Sequence, residues 1–177
     1  MPQQIWQDPI TPTNVHAVFM YSLEPGFATR GSAYLFSNDF GATWSYLADV
    51  PSPGRSGFPA VSGLVSGAAV IVNHNTTNGT SSRTKINYDQ GAGFGVFTEI
   101  DPGTTGEGDP IWARVIALPN NNILFTSSIS GAFILSQTKP QTSLHLEYSP
   151  DIKHIPEIRR KLIHWRLHLT EQSGMHS

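Results

Sequence analysis

Two stretches of this chain run through the same order of strand and turn signals. WSYLADV (44–50), PSPGRSGFPAVSGLV (51–65) and SGAAVIVNH (66–74) line up with VFTEIDP (96–102), GTTGEGDPIWARVIALP (103–119) and NNNILFTSS (120–128). Each copy has an outgoing strand, a Gly/Pro connection, a strand near an arginine (Arg55, Arg114), a tight turn and a β-branched strand. A chain that repeats its turn types in order uses one supersecondary unit more than once, and few folds are built that way.

The unit is β. VHAVFMY (15–21), GSAYLF (31–36), TKINYD (84–89) and FGVFTEI (94–100) add further β-branched and aromatic runs. Ser66-Gly67, Asn120-Asn121 and the QGAG of 90–93 read as hairpin turns between them. No segment before residue 150 has helical periodicity, and 16 glycines, 13 prolines and only 14% charged residues suit a turn-rich all-β chain. Four short strands per 50-odd residues is the period of a β-propeller blade; a sandwich also has short strands but does not repeat its turn types in order. The expected fold is a partial β-propeller of four-stranded antiparallel blades, about two and a half of them within 1–140. At roughly 50 residues per blade such a length does not close a ring, so missing blades or self-association are the expected partners.

Composition shifts near Pro140. Residues 1–140 carry 6 basic and 9 acidic side chains, whereas 141–177 carry 5 and 4 together with 5 of the 7 histidines. Within that basic, His-rich tail, 156–170 reads as an amphipathic helix starting at Pro156, with Ile158, Leu162, Trp165 and Leu169 in one stripe. It either docks on a partner or anionic surface, packs on the propeller, or marks departure from the repeat. The net charge of −2 gives no argument for nucleic acid, and no apolar run reaches the length of a membrane span. Cysteine is absent, which removes disulfide and thiolate chemistry. The N-terminus lacks the basic-then-apolar order of a signal peptide.

SNDFGATW (37–44) is the most informative short stretch. Asp39 is placed to accept backbone N–H bonds two and three residues on. Gly41 supplies a positive φ, Ser37 and Thr43 tie the flanks, and Trp44 is expected to bury a large surface. This spacing resembles, position for position, the Asp box (BNR repeat) of the sialidase superfamily and related propellers, where it joins the third and fourth strands of a blade. NYDQGAGF (87–94) resembles a degenerate copy, with Asp89 and Gly91 at the Asp and Gly offsets and Phe94 for Trp. The resemblance covers 15 to about 135. It implies a structural role for the box, on the side away from the ligand, and an extracellular or cell-surface parent protein.

A sialidase-type site, as the resemblance implies it, needs three arginines, a Tyr–Glu pair and an Asp acid/base. The family's Arg-Ile-Pro motif is absent, and no Tyr–Glu pair can be placed, because Tyr21, Tyr34, Tyr46 and Tyr88 read as strand residues. Arg55 and Arg114, at equivalent places in the repeat, are candidate ligand contacts, as are Glu107 and Asp109 in the GEGDP connection. His16 and His74 lie at strand ends with no metal-ligand spacing, so no metal or cofactor is expected. Asn75-Thr76-Thr77 and Asn78-Gly79-Thr80 read as glycosylation sequons in a surface loop. Two functions follow: a non-catalytic structural, glycan-binding or protein-binding module, favoured by the missing motifs, or a fragment of an exo-α-sialidase.

Overall fold

The computed structural model describes residues 3–52, 54–77, 81–102, 111–129, 132–139 and 142–145. Twelve strands make three four-stranded antiparallel sheets, each taking its strands in sequence order. The first holds β1 (Ile5–Gln7), β2 (Val15–Tyr21), β3 (Gly31–Ser37) and β4 (Ser45–Asp49). The second holds β5 (Ser56–Gly63), β6 (Ala69–Thr77), β7 (Ser81–Asp89) and β8 (Phe97–Ile100). The third holds β9 (Ile111–Ala117), β10 (Ile123–Ile129), β11 (Ala132–Lys139) and β12 (Thr142–His145). The chain is all-β with no helix among the described residues; the helix expected over 156–170 lies outside them.

Three sheets replace the expected two and a half because the short strands β1 and β12 carry no pattern of their own. Ile5–Gln7 pairs with β2 through Trp6 opposite His16, and Thr142–His145 extends the third sheet past residue 140. The hairpins anticipated at Ser66-Gly67 and Asn120-Asn121 have one geometry. Leu64 N–H donates to Ala68 O and Gly67 N–H to Leu64 O, while Leu118 N–H donates to Asn122 O and Asn121 N–H to Leu118 O. Gly67 and Asn121 both hold the positive φ that such turns need.

The second sheet is covered on both faces. Its Val61, Ala69 and Ile71 join Val18, Tyr34 and Val50 in one core, and its Ala60, Val70, Val72 and Ile86 join Ala113, Val115, Ile123 and Phe125 in another. Successive β6 residues therefore enter opposite cores, which is why 68–72 is apolar without alternation. Gly63 lets the first pair of sheets close: a Cβ there would run into the Trp6 ring. Because strands alternate in direction, the β1–β2, β3–β4, β5–β6, β7–β8 and β9–β10 turns share one end. The last residues of β2, β4, β6 and β8 and the first residues of β3, β5, β7 and β9 share the other, the crossing end.

Candidate functional site

SNDFGATW forms a closed turn between β3 and β4, though not with the expected bonds. Ser37 Oγ accepts from Gly41 N–H (2.8 Å) and donates to Asp39 Oδ1 (2.6 Å). Asp39 then accepts from Thr43 N–H (2.8 Å) and from the Thr43 hydroxyl (2.6 Å), four residues on rather than two or three. Ala42 N–H goes to the Asp39 carbonyl. The Ser37 and Thr43 bonds pull the Asp39 carboxyl down to about 2. Gly41 has φ +86°. Trp44 is not buried: it is 40% exposed, its ring lying over Gly41, so its packing contribution is smaller than the motif suggests.

NYDQGAGF makes a second lock in a different register. Phe94 N–H donates to the Gly91 carbonyl as Ala42 N–H does to that of Asp39, so Gly91 stands where Asp39 stands. Asp89 ends β7 as Ser37 ends β3. From there its carboxylate accepts from Phe94 N–H (2.9 Å) and Gly95 N–H (3.1 Å) through Oδ2 and from Val96 N–H (3.1 Å) through Oδ1. Close by, Tyr34 Oη lies 2.7 Å from His16 Nδ1 in the core. Burial first, then the Asp89 charge, raises the Tyr34 phenol far above its ordinary range.

The strained aromatics and the unpaired guanidinium nitrogen of Arg30 gather at the crossing end. β5 and β9 each carry one extra residue against their partners: Gly57 pairs with His74 and Ala60 with Val72, just as Ile111 pairs with Ser128 and Arg114 with Thr126. The extra residues are aromatic and left-handed, Phe58 with φ 51° and Trp112 with φ 54°. A large side chain held at positive φ is strained, and bulges that re-aim a side chain are over-represented next to functional sites. Both are exposed. His74 joins them: its ring stacks on Phe58 (5.0 Å, 26°), and its Nδ1 accepts the Trp112 N–H at 3.4 Å. Trp112 meets Phe58 edge-on at 6.5 Å. Burial, reinforced by the Arg30 charge, lowers His74 to about 4, so the ring is neutral and able to accept.

Arg30 lies over the Phe58 ring at 5.6 Å. It has no carboxylate partner among the described residues, and its Nε is buried without a hydrogen bond. Burial and the neighbouring Arg55 both disfavour its charged form. Arg30 also lines a cavity of about 360 Å³ with Tyr21, Ser32, Asp49, Ser52 and Ser56. Ser56 Oγ donates to Ser32 Oγ on its wall (3.0 Å), and Tyr21 Oη donates to Asp49 Oδ2 (2.7 Å). That bond pushes the Tyr21 phenol up to about 12.

The candidates named from sequence fall apart in space. Arg55 lies just before β5 and is exposed; Arg114 lies within β9, at the position that Ala60 holds in β5. The two arginines are therefore not equivalent, and the Arg114 guanidinium is held by the backbone carbonyls of Trp112 and Ala113. Glu107 and Asp109 lie outside the described residues, as does Asn78. Asn75 is fully buried in β6, so its sequon is not in a surface loop. Phe58 and Trp112 went unnoticed because aromatic residues in strands ordinarily read as core; the signal available was an aromatic at the same place in both repeats.

These features define an antiparallel all-β protein of sequential four-stranded sheets with an aromatic and arginine shelf at one end. No protein-family model matches the chain, and no curated protein matches it. Among solved structures it is similar to a protein of unknown function from Dyadobacter fermentans DSM 18053, with a TM-score of 0.58 and 17% identity over 76% of this chain. The chain spans 36% of that protein's length. At this identity the likeness concerns the fold alone.

Proposed function

We propose that this chain is part of an Asp-box β-propeller and serves as a binding module whose ligand is an acidic glycan. The observation that carries the reading is the repeated bulge that holds Phe58 and Trp112 out at positive φ beside Arg30, which has no carboxylate partner among the described residues. An aromatic surface suits the apolar face of a sugar ring, and a guanidinium suits a carboxylate or sulfate in bidentate fashion. The Asp-box turns lie at the opposite end, which supports a structural role for Ser37, Asp39, Gly41, Thr43 and Trp44. Calorimetric titration with uronic-acid oligosaccharides and with neutral ones tests the proposal. Trp112→Ala should weaken binding at least about tenfold without moving the denaturation midpoint. Arg30→Gln should remove the preference for the acidic series. If neither series binds, or if neither variant changes binding, the reading fails.

One observation favours the second reading, a sialidase-type hydrolase. Tyr21 and Asp49 are joined at 2.7 Å in the cavity beside Arg30, a phenol–carboxylate pair of the kind such chemistry needs. Turnover of a fluorogenic sialoside that is lost in Tyr21→Phe would establish it over the module.

A further inference from the structure

Among the described residues the two end sheets each leave one face uncovered, and the chain itself contains the pattern for covering it. Position by position, Val61, Ala69 and Ile71 of the second sheet correspond to Val115, Ile123 and Phe125 of the third, since the hairpins that follow share one hydrogen-bond pattern. The first set receives the first sheet, and the second set receives the second sheet. The same joint is thus made twice. Two unmatched halves of it remain.

The receiving half is on the first sheet. Trp6 packs toward the second sheet, so Ile5 faces away, 60% exposed, in a cross-strand row with Ala17, Leu35 and the exposed Tyr46. Ile5 pairs with Ala17 as Val61 pairs with Ile71. The presenting half is on the third sheet, where Val115 faces the second sheet and Ile116 faces away, 57% exposed, paired with Leu124. Arg114 lies on that same outer face, at the Ala60 position of the second joint. Asp49, paired with Ala33 in the Phe19 row, supplies an exposed carboxylate to the first sheet's outer face. Asp49 is on the fourth strand of its sheet and Arg114 on the first strand of its own, so the two charges do not oppose each other and the match between the halves is apolar.

We infer that the chain associates with a second copy of itself head to tail, the third sheet of one copy stacking on the first sheet of the next in the manner of the two internal joints. Such a contact is heterologous: each copy offers two different faces, so successive copies form a ring or a series. The two faces lie on opposite sides of the stack from the shared second sheet, and the inference does not depend on any glycan.

The test uses the full chain in sedimentation-velocity experiments. Ile5→Glu blocks the receiving face, and Ile116→Glu blocks the presenting face; both residues are exposed, so each variant should melt as the wild type does. Wild type should sediment as dimers or longer species. Each variant alone should be a monomer, because every joint then contains one blocked face. An equal mixture of the two should form a heterodimer and nothing larger, since one good face of each kind remains. A monomeric wild type overturns the inference, and so does self-association of either variant or a mixture that stays monomeric. Leu124→Glu, cross-strand from Ile116 on the same face, serves as a second presenting-face variant and should be monomeric as well.

Discussion

Asp89 gives the sharpest test of how the turns are held. Its carboxylate is 1% exposed and is the common acceptor for three backbone N–H groups, those of Phe94, Gly95 and Val96. Asp89→Ala takes the acceptor away from all three donors at once. A buried donor left without a partner costs about 1–3 kcal/mol, which sets an upper bound well above what the turn will register. The Phe94 and Val96 side chains are exposed, so part of this segment can tilt its N–H groups toward water. The expected loss is therefore about 3 kcal/mol, or about 6–12 °C in melting temperature for a chain of this size. Asp89→Asn keeps one acceptor oxygen and places an NH2 group against the remaining donors, so it should fall between alanine and wild type. Urea denaturation followed by tryptophan fluorescence, with an unchanged slope, measures both. If Asp89→Ala lies within about 0.5 kcal/mol of wild type, the carboxylate does not hold the turn.

Burial lowers His16 and His74 from 6.5 to about 4, with a nearby Asp8 charge opposing the shift at His16. Because the unfolded chain takes up these protons first, this stability is whole above pH 6.5, falls as pH drops toward 4 and is flat below; each histidine contributes about 3 kcal/mol. Midpoints measured from pH 7 to 4 should fall accordingly and fall less in His74→Gln, whereas a flat profile contradicts the assignment. Gly63→Ala should destabilise by about 1–3 kcal/mol through its clash with Trp6. The cost should shrink in a Trp6→Leu background, and strict additivity of the two changes would place the strain elsewhere.

Turn chemistry was the most legible part of the fold. Gly67 and Asn121 carry the φ that their turns require, so Ser66-Gly67 and Asn120-Asn121 located two hairpins. The run 68–72 announced a strand, and only the structure explains its lack of alternation, through a sheet covered on both sides. Short strands escaped because three residues such as Ile5–Gln7 show no periodicity. The bond pattern of a turn was less readable than its existence: Asp89 matches Asp39 by spacing, yet backbone bonds align it with Ser37. The arginine pair misled because nearness to a strand is not register: aligned through the hairpins, Arg114 falls at the Ala60 position within the strand, whereas Arg55 lies before β5. The shelf of Phe58, His74, Trp112 and Arg30 comes from four separate strands or loops, and its strain lives in φ angles that no spacing records.

The doubly covered second sheet has a consequence for how the molecule opens. Val70, Ile71, Val72 and Ile86 are fully enclosed, and they contribute to both cores. Neither outer sheet can keep its core if the second sheet melts, whereas the second sheet loses only one of two cores when an outer sheet detaches. Stability therefore propagates along the stack as between neighbours in a one-dimensional array. In native-state hydrogen exchange the β6 amides mark the slowest, globally gated class, and amides of the first and third sheets can exchange through cheaper partial openings.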